Sequence, residues 1–312
     1  MMKFLFLLLW SALAAAQPYP AKPVRIIVAA GPGAGDDFAA RQLAQRMTEI
    51  LGRQFFVENR PGAGGMIGQT YVAKSAPDGY TLLLAGGSMA GAKYVNANMG
   101  YDLARDFTPI SVIETSPFVL VINPALPAKS VAEFIALGKA QPGKLTFGTL
   151  GPGQIPYWSA ALFNITAGVK AVEVTYKSPA DAALDIIAGR LDYSFVPIIN
   201  AVGNREKLRS LAVTTKQRSE MLPDVPAMAE ALPGYEMPAW RSIMGPAGLS
   251  PEIVRTLNQA IAQSMAAADL RERFAKAGSM PLTSTPEELR KRYADWSVIF
   301  GKLAKDIGLQ PM

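Results

Sequence analysis

The chain has 312 residues, half of them hydrophobic, with a net charge of +6 and neither cysteine nor histidine. The missing cysteine excludes disulfides, thiol catalysis and thiolate metal sites, and the missing histidine removes the commonest general base and metal ligand. Lysine and arginine are scattered, with no basic block and no aromatic-basic stripe, which argues against nucleic-acid binding and leaves a mild bias toward an anionic small ligand.

The N-terminus reads Met1-Met2-Lys3, an apolar run over residues 4–9, then Trp10-Ser11-Ala12-Leu13-Ala14-Ala15-Ala16. A basic start, a short apolar stretch and an A-x-A site predict an export signal, cut after about Ala16. The apolar run is too short for a bilayer span of about 20 residues. The mature chain is expected to be exported. Without disulfides, the exported chain must rely on its hydrophobic core, and it is long enough to build one.

Residues 24–30 form an apolar run, broken only by Arg25, that predicts a strand in a parallel sheet covered on both faces. The turn Gly31-Pro32-Gly33-Ala34-Gly35 follows, and Asp36-Asp37 opens a helix over 37–51. Strand, glycine loop and helix N-terminus make an anion site from backbone N–H groups and the helix dipole. The spacing fits neither the P-loop nor the dinucleotide fingerprint. A second strand over 55–58 leads into the glycine-rich run 59–68 and a helix to about Lys74. A third strand over 80–85 ends in Gly86-Gly87-Ser88-Met89. Strands follow over 106–113 and 118–121.

From Asn123-Pro124 the rhythm restarts, with helices over 131–140, 156–168 and 180–188 and strands over 145–149, 172–176, 191–196 and 208–213. Gly151-Pro152-Gly153-Gln154 and Lys177-Ser178-Pro179 are its strand-to-helix turns. A third part holds a short helix at 228–231, an extended stretch over 235–244, and helices over 251–267, 269–277 and 285–307. Thr285-Pro286-Glu287-Glu288 carries the capping-box pattern with proline at the first helical position. These last helices have no sheet of their own and are expected to return to the first unit. The expected fold is α/β and two-lobed, each lobe a sheet flanked by helices, with a ligand cleft between lobes. The expected boundaries are 1–16 signal, 17–120 plus 238–312 lobe 1, and 121–237 lobe 2. The chain would cross between lobes near 119–123 and 236–241.

The runs Tyr19-Pro20-x-Lys22-Pro23-Val24-Arg25, Val57-Glu58-Asn59-Arg60-Pro61-Gly62-Ala63-Gly64-Gly65, Ala76-Pro77-Asp78-Gly79-Tyr80-Thr81, Pro142-Gly143-Lys144-Leu145, Leu211-Ala212-Val213-Thr214 and Leu222-Pro223-Asp224-Val225-Pro226 stand out along the chain. In sequence and order they resemble the Bug-type extracytoplasmic substrate-binding proteins of tripartite tricarboxylate transporters. The resemblance spans nearly all the chain after the signal. It implies a periplasmic binding fold that pinches a small carboxylate between two loops, here 31–37 and 177–180, with further contacts from 86–88 and 149–157. The candidate ligand residues are therefore Gly31, Gly33, Ala34, Gly35, Asp36, Asp37, Ser88, Thr149, Gln154, Tyr157, Lys177, Ser178 and Ala180. Neither a catalytic residue, a metal nor a cofactor is expected. The partners would be a small organic carboxylate and the membrane subunits of a secondary transporter, with the protein a monomer.

The chain also departs from the family pattern. Asp36 stands where a threonine is usual, and a carboxylate there would repel a ligand carboxylate at about 4 Å by about 4 kcal/mol at intermediate dielectric. Either Asp36 points away, or it is protonated, or the ligand offers it a cation or a donor. Pro179 removes an N–H donor from the second loop, and Val196-Pro197 replaces an acidic position. Gln154-Ile155-Pro156-Tyr157 makes that wall more apolar and aromatic. Asp36 and Tyr157 together point to a ligand that is aromatic or amino-bearing. Asp37 reads first as a helix-capping residue, Lys177 as solvent-exposed, and Trp240 as hinge or core packing. A sensor that docks on a membrane receptor is the alternative function. A carboxylate-based enzyme is disfavoured, because adjacent carboxylates rarely converge on one substrate.

Overall fold

The computed structural model describes residues 19–312; the expected export signal and its cut after Ala16 lie outside them. In chain order the first part comprises β1 (Val24–Val28), α1 (Gly35–Leu51), β2 (Phe55–Asn59), α2 (Met66–Ala73), β3 (Thr81–Gly86), a 3₁₀ helix (Gly87–Tyr94) and β4 (Phe107–Ser116). The second comprises β5 (Phe118–Ile122), α3 (Val131–Ala140), β6 (Thr146–Thr149), α4 (Ile155–Ala167), β7 (Val172–Thr175), α5 (Pro179–Ile187), β8 (Tyr193–Pro197), α6 (Ile198–Gly203) and β9 (Arg209–Val213). The last comprises α7 (Met228–Ala231), β10 (Ala239–Pro246), α8 (Pro251–Ala266), α9 (Ala268–Lys276), β11 (Met280–Pro281) and α10 (Pro286–Asp306).

Two sheets result, one per lobe. The first has the order β11-β4-β10-β3-β1-β2 and the second β7-β6-β8-β5-β9. β1 is parallel to β2 and β3, as its apolar run predicts. Its residues feed two cores: Ile27 packs into one, while Val24, Ile26 and Val28 pack into the other. A strand buried on both faces has no polar alternation. The sheet is nevertheless mixed rather than parallel throughout. β10 runs antiparallel between β3 and β4, because it arrives from the other lobe instead of through a βαβ crossover.

The chain leaves the first sheet at Ser116 and enters the second at Phe118, so the outward crossing is one proline long. The return lies between β9 and β10. The C-terminal helices do return to the first lobe: α8 packs on α1 and β4, and α10 on the 3₁₀ helix and β4. At the head of α10, Thr285 Oγ1 accepts from the Glu288 amide at 3.1 Å and Glu288 Oε2 accepts from the Thr285 amide at 2.8 Å. This reciprocal pair satisfies two amides that the helix itself cannot.

α10 also reaches across to α4 of the second lobe. Trp158 lies 4.7 Å from Phe300, Phe300 lies 5.4 Å from Trp296, and Trp296 lies 5.5 Å from Trp240, measured between ring centroids. Trp158 and Phe300 are fully buried. One aromatic seam thus joins the two lobes behind the cleft.

Candidate functional site

A cavity of about 200 Å³ lies between the lobes. Lobe 1 contributes Asp36, Gly86, Gly87 and Ser88, and lobe 2 contributes Phe118, Leu150, Gln154, Ile155, Pro156 and Pro197. Ser116, Ala239, Trp240 and Arg241 line it from the strand ends where the chain passes between sheets. The first turns of α1, the 3₁₀ helix and α4 all open on it. The N-cap residues of these helices, Ala34, Gly86 and Gln154, make no side-chain capping bond. First-turn amides have no partner within their own helix, so these ends can serve an anion. A larger open groove of about 1330 Å³ runs along β2, lined by Lys22, Arg25, Arg60 and Lys74 among others. It belongs to one lobe alone, whereas the smaller cavity is walled by both.

Asp37 holds the first loop. Its side chain accepts from the Gly33 amide at 3.0 Å, from Arg41 Nε at 2.9 Å and from Asn59 Nδ2 at 2.9 Å. The residue is buried. The Arg41 hydrogen bond, with those from Gly33 and Asn59, outweighs burial and lowers the Asp37 pKa from 3.8 to about 2. A carboxyl depressed on folding stabilises the protein above its unfolded pKa, and that contribution is lost as pH falls through the folded value. The stability gap between the wild type and Asp37→Asn should be constant above about pH 5 and shrink as pH drops toward 2, read from urea midpoints across that range.

Asp36 meets a partner that the linear spacing could not supply. Arg241 of β10 donates from Nε to Asp36 Oδ1 at 2.5 Å, and from Nη1 to Glu114 Oε1 of β4. Glu114 is 1% exposed, whereas the Asp36 side chain is 37% exposed. Burial works to lower the Arg241 pKa, but the two carboxylates prevail and hold it above its ordinary value. The network needs Gly35, where a Cβ would sit 2.8 Å from Arg241 Nη2. The cavity wall needs Gly87 for a similar reason: a Cβ there would lie 2.5 Å from the Trp240 indole. Trp240 is both core packing and cavity wall.

Of the residues expected at the ligand, the structure brings Asp36, Ser88 and Gln154 together in the cavity. Gly35 stands beside them under Arg241. Gly31, Gly33 and Ala34 form the turn that precedes α1, closed by the Ala34 amide bonding to the Gly31 carbonyl. Thr149 lies outside the cavity lining, with its hydroxyl donating to Glu173 and accepting from the Gly151 amide at 2.9 Å. Tyr157 packs edge-on against Trp158, and burial, with the nearby Glu173 charge, raises its pKa. Lys177 is exposed. Ser178 caps α5 by accepting from the Asp181 amide at 3.2 Å, and Ala180 sits in that helix's first turn. Sequence reasoning missed Arg241 and Glu114, which only the placement of β10 beside β3 and β4 brings to Asp36.

The profile of the family described as "Tripartite tricarboxylate transporter family receptor", TctC, matches residues 39–309. Among curated relatives, "Protein BugT" of Bordetella pertussis is 35% identical over 285 residues, covering 90% of this chain and 87% of that protein. Among solved structures, Rpa4515 of R. palustris with adipate superposes with a TM-score of 0.81 at 32% identity, covering 94% of this chain and all of that one. MatC of Rhodopseudomonas palustris with bound malate gives a TM-score of 0.76 at 28% identity, covering 92% of this chain and all of that one. Family profile, full-length relatives and a two-lobed fold agree, and the chain is a member of the TctC family of tripartite tricarboxylate transporter receptors.

Proposed function

We propose that this receptor, exported to the periplasm and acting as a monomer, closes its lobes on one small organic carboxylate and delivers it to the membrane subunits of a transporter. The observation that carries this reading is the interlobe cavity onto which three uncapped helix N-termini open. Carboxylates in two solved relatives, adipate in one and malate in the other, support the ligand class. On this reading the turn 31–37 provides one jaw. The loop carrying Lys177, Ser178 and Ala180 swings toward it on closure, with Thr149 and Tyr157 supporting the lobe 2 side. Such hinge closure around a ligand is common in two-lobed binding proteins. Binding here needs no cofactor or metal, because backbone amides supply the positive potential.

Calorimetric titration of ligand-free protein against dicarboxylates, aromatic acids and amino acids tests the proposal. Saturable one-to-one binding of at least one carboxylate is expected. Absence of binding across the whole panel overturns it.

A further inference from the structure

Among the residues that line the interlobe cavity, Asp36 and Arg241 alone carry formal charge. The arginine has one positive charge and two carboxylates to serve. Glu114 is 1% exposed, and its bond from Arg241 is the one hydrogen bond its side chain makes among the described residues. A buried carboxylate without its counter-ion is strongly unfavourable, so Arg241 is committed to Glu114. Asp36 is the more exposed of the two acids. It takes its hydrogen bond from Arg241 through Oδ1, and Oδ2 accepts none among the described residues. The three groups together leave one negative charge, and it resides on the acid that faces the ligand space.

We propose that the ligand is a carboxylate that also carries an ammonium group, and that Asp36 receives the ammonium. The inference rests on the carboxylate-receptor function proposed above and narrows its substrate class. A ligand with carboxylates alone sets like charge against Asp36. An amino acid matches both halves of the site. Its carboxylate takes the amides at the heads of the 3₁₀ helix and α4, and its ammonium takes Asp36. The remaining wall is apolar, formed by Phe118, Leu150, Ile155, Pro156 and Trp240. This favours an apolar or aromatic side chain over a second carboxylate. The Arg241–Glu114 pair acts as a positioning unit: it holds Asp36 at the wall without cancelling its charge.

Matched ligand pairs test this by calorimetry: leucine against 4-methylpentanoate, phenylalanine against 3-phenylpropanoate, and aspartate against succinate. In the wild type, the amino member of each pair that binds should be at least tenfold tighter. In Asp36→Asn that advantage should fall below threefold, through weaker amino-acid binding, tighter binding of the amine-free acid, or both. If the amine-free acids bind the wild type as tightly as their partners, or more tightly, the ammonium inference is overturned while the carboxylate-receptor function stands. If the amino preference is present but survives in Asp36→Asn, Asp36 is not the ammonium acceptor and the inference is likewise overturned. If no carboxylate of any kind binds, both fall together.

Discussion

Arg241→Met is expected to destabilise the folded protein by about 3–5 kcal/mol, the range for breaking one side of a buried ion pair. The loss comes less from the missing attraction than from the buried Glu114 carboxylate left behind without a counter-charge. Asp36 adds less, because its more exposed carboxylate can turn to water. The urea midpoint of the purified variant measures the effect. The double variant Glu114→Gln/Arg241→Met should regain more than half of the lost stability, since it removes the stranded charge as well as its partner. A double variant no more stable than Arg241→Met would show that the guanidinium contributes through packing over Gly35 rather than through charge.

Trp158→Ala should cost a similar amount, about 3–5 kcal/mol, by emptying a fully buried indole site. The site cannot collapse easily. Phe300 stands on one side, and the Gly91 backbone passes so close that a Cβ there would lie 3.2 Å from the indole and 2.9 Å from Phe300. Trp158→Phe keeps most of the volume and should lose clearly less. Chemical denaturation of the three proteins gives the order. Equal losses for alanine and phenylalanine would indicate that the seam depends on the shape of the indole rather than on filled space.

The glycine loops were legible because a strand that ends in small residues before a helical pattern has few other structural uses. Asp37 was legible as a structural residue, because its partners, Gly33 and Arg41, are four residues away on either side; it is not the cap it was read as, since it lies inside the first turn of α1, whose N-cap is Ala34. The capping box of α10 was legible for the same local reason. The fate of Asp36 was not. Its partner is 205 positions distant, and a second acid 127 positions from that arginine shares it. Local spacing does not join such residues; only the insertion of β10 between β3 and β4 does. The sequence reading therefore left the Asp36 charge as a choice between turning away, protonation and a ligand that offers it a cation or a donor. The 3₁₀ helix after β3 and the six-residue α6 were also missed. The first winds with three residues per turn and so lacks the α-helical period, and the second spans under two turns.

The aromatic seam has an optical consequence. Every tryptophan among the described residues, Trp158, Trp240 and Trp296, belongs to it. One end is anchored in α4 of the second lobe, and near the other end Trp240 forms part of the cavity wall. On the proposed closure, lobe movement and ligand contact would converge on the same three tryptophans, and no other tryptophan is present among the described residues to dilute their signal. These tryptophans would then serve as an internal fluorescence reporter, and intrinsic emission would follow opening and closing without a label.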